Sequence, residues 1–304
     1  MTASEHCVRL PDVKEEGNMT NRAKESDFQY CEDIIQRHST SFYYVFSQLP
    51  RDKANAVFAI YAFCRIADDC MDENQSTVAK KRALDNLEME LKLFQLGRER
   101  DIPLWRALRA VFDNYEMSFE PFYDQLKGQR MDLYFSAPMT MQDLEEYSYY
   151  VAGSVGRMLL PIIASHAPRD GSDTAVDLGV AMQITNILRD VGEDYYEKQR
   201  IYLPMEEMKQ YQYTVTDLHN GVINLNFIQL WEKLARRAEE LYDRFFEQIA
   251  LFDPDSQLPV SLSAQVYREI LNAVRANQYN CLSHRNYVAK ETMDAMNKAV
   301  SQSI

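Results

Sequence analysis

Apolar residues recur at spacings of three and four from about Asp27 onward, and no series of short alternating runs interrupts them. That periodicity predicts long amphipathic helices and no sheet. The pattern breaks at proline, glycine and Asx clusters: "QLPRDK" (48–53), "DENQST" (72–77), "GRERDIP" (97–103), "FSAPMT" (135–140), "HAPRDGSD" (166–173), "YLPME" (202–206) and "FDPDSQLP" (252–259). In "SAPMTMQDLEEY", Thr140 followed by Asp143 reads as a variant of the capping box, so a helix should start there. Residues 1 to about 25 are polar and aperiodic, a tail expected to be disordered, and Met19 offers an alternative start. Residues 26–304 then form one all-α domain, with no fixed repeat and no low-complexity linker.

Composition narrows the class. A chain of 304 residues that is 46% hydrophobic can bury a sizeable core, and only nine glycines and ten prolines interrupt it. The net charge of −13 argues against a nucleic-acid partner and gives no reason for strong attraction to anionic lipid. Five cysteines (Cys7, Cys31, Cys64, Cys70, Cys281) are odd in number and form no CxxC pair, which fits a reducing cytoplasm and no zinc site. No run of about twenty apolar residues is available to span a membrane.

Two helices carry polar residues where their surroundings are apolar. In "KANAVFAIYAFCRIADDCMDE", Tyr61, Arg65, Asp68 and Asp72 fall at i, i+4, i+7 and i+11, one helical face. In "LGVAMQITNILRDVGED", Gln183, Asn186, Asp190 and Asp194 fall at i, i+3, i+7 and i+11, with Arg189 about a quarter-turn away. A buried unpaired carboxylate costs several kcal/mol or takes up a proton, and two carboxylates four apart repel as well. Both penalties vanish if the stripes line a wet cleft that holds divalent cations. Oxygen-only donors with an amide among them suit Mg²⁺, which keeps waters and shares positions with phosphate. One aspartate pair alone is ordinarily a solvated helix face. Two pairs on two apolar helices, each with an arginine, are much harder to explain that way.

These motifs, with "FQYCEDIIQRHSTSFYYVFSQLP", "YVAGSVGRMLLPII" and "AQVYREILNAVRANQY", resemble the squalene and phytoene synthase family of head-to-head prenyl transferases, nearest its bacterial dehydrosqualene synthases. The resemblance covers nearly the whole chain beyond the tail. It implies an isoprenoid-synthase helical bundle around a central cavity, with the two acidic helices facing each other. It assigns Asp68, Asp72, Asn186, Asp190 and Asp194 to two or three Mg²⁺ ions, and Arg65, Arg189 and Gln183 to diphosphate. His38, Ser39, Thr40 and Ser41 match a second diphosphate-binding segment, in which Thr40 stands where relatives often carry lysine. Tyr61, Tyr147, Tyr202 and Tyr267 match tyrosines of the reaction cavity. Among these the implied catalytic set is Asp68, Asp72, Asp190, Asp194, Tyr147 and Tyr267. Tyr150 replaces a small residue before "VAG", and the stretch from Asp194 to Tyr202 looks one residue longer than expected.

The implied reaction joins two farnesyl diphosphates through presqualene diphosphate to dehydrosqualene, with Mg²⁺ and without NADPH. Phe42, Phe46 and Phe58 near the motifs suggest a bulky floor that stops a C15 tail and excludes C20. Phytoene synthesis from geranylgeranyl diphosphate and NADPH-dependent squalene synthesis remain open alternatives. So do a head-to-tail elongator or terpene cyclase, since "DDCMD" fits DDxxD, and a non-catalytic helical scaffold. An oily product makes loose membrane contact at a channel mouth a natural expectation for an otherwise cytoplasmic enzyme.

Overall fold

The computed structural model describes residues 23–72, 76–165 and 171–301. Residues 1–22, with most of the expected tail, Cys7 and Met19, lie outside the described residues, as do 73–75 and 166–170 within two expected breaks, and 302–304. Every regular element among the described residues is helical. The first half comprises α1 (Glu25–His38), α2 (Thr40–Phe46), α3 (Arg51–Asp72), α4 (Thr77–Gln95), α5 (Pro103–Asn114), α6 (Glu120–Leu133) and α7 (Met141–Ser148). A π-helical segment, Tyr149–Gly153, runs straight into α8 (Ser154–Ile163). There follow α9 (Ser172–Arg189), α10 (Val191–Tyr196), α11 (Met205–Gln210) and α12 (Val215–His219). The chain then forms α13 (Leu225–Glu247), α14 (Pro254–Ala276) and α15 (Lys290–Ser301).

The expected cap at Thr140 forms in full: the Asp143 N–H donates to Thr140 Oγ1 at 3.1 Å and the Thr140 N–H to Asp143 Oδ2 at 2.9 Å. The break placed at 252–259 shifts toward the N-terminus. Pro254 takes the first position of α14, where its missing N–H costs nothing, and Pro259 sits inside the helix. Loops at 115–119, 211–214 and 277–289 lack glycine, proline and any dense Asx cluster and so carry no break signal, and the loop at 220–224 is marked only by the single Gly221.

Helix α9 is central, packed by α8, α13, α14 and the π segment, while α1 lies on α3 and α5. Buried Asp27 ties α1 to α5 by accepting two hydrogen bonds from Arg106, at 3.0 and 2.6 Å. The π segment and α8 meet α9 through glycine: a Cβ at Gly179 would lie 2.5 Å from the Ala152 carbonyl oxygen. That close crossing forms one wall of the central cavity, to which both residues belong.

Candidate active site

Helices α2, α3, α6, α8, α9 and α14 and the π segment line a partly open cavity of about 270 Å³. Its walls are almost wholly apolar, with Phe42, Phe46, Val57, Leu159, Leu178 and Val260 among them. Polar groups gather at one end: Tyr61, Asp68, Gln183, Asn186 and Tyr267 all line it. Tyr61 and Asp68 of the first stripe and Gln183 and Asn186 of the second therefore face one cavity, whereas Arg65, Asp72, Asp190 and Asp194 do not line it, and Arg189 and Asp190 border a separate cleft with Arg285.

Asp68 Oδ1 on α3 accepts a hydrogen bond from Gln129 Nε2 of α6 at 2.5 Å. Burial pushes the Asp68 carboxyl up to about 7; the Arg65 guanidinium opposes this, and the carboxylates of Asp72, Asp132 and Asp69 add to the rise. Arg65 turns toward Asp69, its ion-pair partner one turn on, and stands 3.7 Å from Asp72. Asp72 is exposed at the rim. Tyr61, one turn below Arg65, has its phenol pushed up to about 12 by burial.

The second stripe is not one continuous helix. Helix α9 ends at Arg189, Asp190 takes a non-helical φ of −107°, and α10 begins at Val191. Arg189 folds back on Asp190, donating from Nε at 2.8 Å and from Nη2 at 2.5 Å. Arg285 approaches Asp190 at 3.5 Å and pairs with Glu193 at 2.7 Å. Asp194 is buried, which pushes its carboxyl up to about 6 against the opposing pull of Lys198, whose Nζ donates to it at 3.0 Å. In this state Arg189 is thus the counterion of the motif's own carboxylate. The α9–α10 break is held by Gly192, whose N–H donates to the Cys281 carbonyl at 3.0 Å. A Cβ on Gly192 would overlap the Leu282 carbonyl oxygen.

Tyr147 and Tyr202 lie elsewhere than the cavity wall. Their rings stack at 5.0 Å and their hydroxyls donate to Asp132 Oδ1 at 3.1 and 2.9 Å. Arg200 completes the group, 3.1 Å from Asp132 Oδ2 and 3.1 Å from the Tyr202 hydroxyl. Burial raises the Asp132 carboxyl, opposed by the Arg200 charge, and the charge of Asp132 reaches Asp68 in turn. Sequence spacing did not flag Asp132, Gln129, Lys198 or Arg200. A lysine four residues after Asp194 was the one readable signal, as an ordinary i,i+4 pair.

The "HSTSF" segment sits at the junction of α1 and α2. Ser39 Oγ accepts from the Phe42 N–H at 3.4 Å, while His38 and Thr40 are exposed and Ser41 is partly buried. Phe42 packs on Tyr267 with ring centroids 5.2 Å apart, bringing the segment beside the cavity. Tyr150 packs outside the cavity, its ring 3.9 Å from the Lys127 ammonium. Phe42 and Phe46 both line the cavity, and Phe58 is fully buried behind Tyr43, away from the lining. Ile163 and Phe252 line the cavity at the end away from Asp68, since Asp253, beside Phe252, bonds the Ile163 carbonyl and Lys53 at the start of α3.

Can these residues hold a cation? Asn186 Oδ1 is buried beside the cavity without a hydrogen-bond partner, an arrangement that is costly unless an ion or ligand takes the oxygen up. Among the described residues, no three His, Cys, Asp or Glu side chains converge closely enough to hold an ion unaided. Carboxylate and amide oxygens spread around a rim suit a hard cation that completes its shell with water and phosphate.

The family model for squalene/phytoene synthases matches residues 35–292. The chain belongs to the squalene/phytoene synthase family. A 4,4'-diapophytoene synthase of Staphylococcus haemolyticus is 34% identical over 271 residues, covering 88% of this chain and 93% of that one. A 15-cis-phytoene synthase of Synechococcus elongatus is 36% identical over 273 residues, covering 86% and 88%. A crystal structure of a dehydrosqualene synthase with a ligand superposes with a TM-score of 0.85 at 46% identity, covering 91% of this chain and 96% of that chain. The all-α isoprenoid-synthase fold and a prenyl transferase type of activity follow, and squalene/phytoene synthases use prenyl diphosphates. No helix among the described residues is long and apolar enough to cross a membrane.

Proposed function

We propose that this squalene/phytoene synthase joins two farnesyl diphosphates head to head, through presqualene diphosphate, and releases dehydrosqualene without drawing on NADPH. The observation that carries the C15 choice is cavity depth. Val57 on α3 and Ala175 on α9 line the cavity eleven residues below Asp68 and Asn186. At 1.5 Å of rise per residue that drop is about 16 Å, against about 15 Å for three isoprene units and about 20 Å for four. A diphosphate at the polar end leaves room for a three-unit tail above Ile163 and Phe252. The likeness to proteins named diapophytoene and dehydrosqualene synthase supports the same product. The 36% identity to a phytoene synthase favours the C20 reading, and cavity depth weighs against it.

In this reading Asp68, Asp72, Asn186, Asp190 and Asp194 hold Mg²⁺, which when bound neutralises the charge of the departing pyrophosphate. Arg65, Arg189 and Gln183 bind diphosphate oxygens, so Arg65 and Arg189 leave Asp69 and Asp190 for the substrate. The hydroxyls of Ser39, Thr40 and Ser41, with His38, meet the second diphosphate. Tyr61 and Tyr267 present phenol rings to the allylic cation at the polar end of the cavity, where an electron-rich face is stabilising. The Tyr147–Tyr202–Asp132 group is a hydrogen-bonded path along which a proton can leave. Apolar walls exclude water, which would otherwise quench the cation as an alcohol.

Pyrophosphate release from farnesyl diphosphate tests this proposal. Release should depend on Mg²⁺, stop with a chelator, and return when Mg²⁺ is restored. No release at any Mg²⁺ concentration would leave a non-catalytic helical protein.

A further inference from the structure

The far end of the cavity is closed by residues from distant parts of the chain: Ile163 in the last turn of α8 and Phe252 just before α14. Their backbones are joined, because the Asp253 N–H donates to the Ile163 carbonyl at 3.0 Å. The Asp253 side chain is buried, and its Oδ2 accepts three further hydrogen bonds. Ser165 supplies two, from its N–H at 3.1 Å and its hydroxyl at 2.8 Å, and Lys53 Nζ supplies the third at 2.8 Å. Lys53, in the first turn of α3, also reaches Asp255 Oδ1 at 2.6 Å and Ser256 Oγ at 3.3 Å. Gln257 Nε2 holds the Phe252 carbonyl at 2.9 Å. Helix α3, the end of α8 and the start of α14 are thereby fastened at one point directly beneath the cavity.

Lys53, Asp253 and Ser165 do not line the cavity themselves. A buried ion pair adds little stability over apolar residues of the same shape, so its effect is better sought in geometry. Here the geometry is the height of the floor. Discrimination between prenyl tails differing by one isoprene unit requires that the floor not sink by about 5 Å, and a close-packed wall yields only if its backbone can move. Pinning the backbone on both sides of the Ile163–Phe252 seam removes that freedom.

We propose that Asp253, held by Lys53 and Ser165, is a positioning residue for substrate chain length, fixing Ile163 and Phe252 so that tails beyond three isoprene units are rejected. This rests on the C15 reading above. The test is kcat/KM for farnesyl and geranylgeranyl diphosphate, each measured alone, on wild type, Asp253→Ala, Lys53→Gln and Lys53→Arg, with a thermal melt of every variant. Asp253→Ala and Lys53→Gln should raise the C20:C15 ratio at least about tenfold, the scale on which a pocket discriminates by added carbon. Lys53→Arg keeps a charged donor and should stay near the wild-type ratio. If Asp253→Ala does not fold, Lys53→Gln decides. A wild type that prefers C20 removes the reading beneath the proposal. A C15-preferring wild type whose variants melt lower but keep the same ratio overturns the proposal alone and leaves Asp253 a purely structural residue.

Discussion

Changing Asp68 or Asp190 to asparagine should move stability in opposite directions, although each change removes a carboxylate from one of the two acidic motifs. Burial raises the Asp68 carboxyl from 3.8 to about 7. At 1.36 kcal/mol per unit, ionising it in the fold costs at most about 4 kcal/mol. The side chain is partly open to the cavity, so the penalty that Asp68→Asn relieves is on the order of 1–3 kcal/mol. Asparagine keeps an oxygen for the Gln129 amide. Asp190→Asn does the reverse, because it strips the bidentate acceptor from Arg189, whose side chain is only 13% exposed. Breaking such a pair costs about 3–5 kcal/mol, and since asparagine still accepts one hydrogen bond about 2–4 kcal/mol is expected here. The sign with pH follows from the raised Asp68 value. Below 3.8 the folded and unfolded chains both hold the proton, and Asp68→Asn brings no such gain. Between 3.8 and about 7 the fold progressively loses stability relative to the variant, and above 7 the full gain appears. Melts by circular dichroism with EDTA present, at pH 8 and pH 5, read this directly. At pH 8 Asp68→Asn should melt roughly 2–6 °C above wild type and Asp190→Asn roughly 4–8 °C below it. The Asp68 gain should shrink at pH 5. A destabilised Asp68→Asn at pH 8, or a gain that ignores pH, would refute the argument. Turnover by both variants should fall at least about a hundredfold.

Phe46→Ala removes a bulky ring from the cavity lining, so it should gain activity on geranylgeranyl diphosphate while losing about 3 kcal/mol of stability; an assay that finds no gain means that Phe46 does not limit tail length. Asp132→Asn takes the charged acceptor from Tyr147, Tyr202 and Arg200. It should lower kcat about tenfold or more with little change in KM, and a KM effect alone would make the cluster a binding element. Gly192→Ala must push the α9–α10 junction off the Leu282 carbonyl. A loss of about 3 kcal/mol in denaturant unfolding is expected, and an unchanged midpoint would mean that the junction is slack.

Much of this arrangement is legible in residue spacing. The i, i+4, i+7 and i, i+3 patterns put Tyr61, Asp68, Gln183 and Asn186 on faces that do meet across one cavity. The Thr140–Asp143 cap is local and was readable for that reason. What spacing misses is whatever depends on a partner distant in sequence. Asp132 looks like any aspartate near a helix end until Tyr202, Arg200 and Tyr147 converge on it. Phe58 has the period of a cavity residue yet faces Tyr43, because periodicity gives a face and not what the face meets. The helix break at Asp190 is likewise hidden. Only Gly192 marks it, and the reason for that glycine is the Leu282 backbone some ninety residues away.

The most direct test offers the purified protein equal amounts of farnesyl and geranylgeranyl diphosphate with Mg²⁺, with and without NADPH, and identifies the hydrocarbon by mass spectrometry. The account predicts dehydrosqualene in both tubes. Phytoene as the main product, or squalene formed only with NADPH, would contradict it.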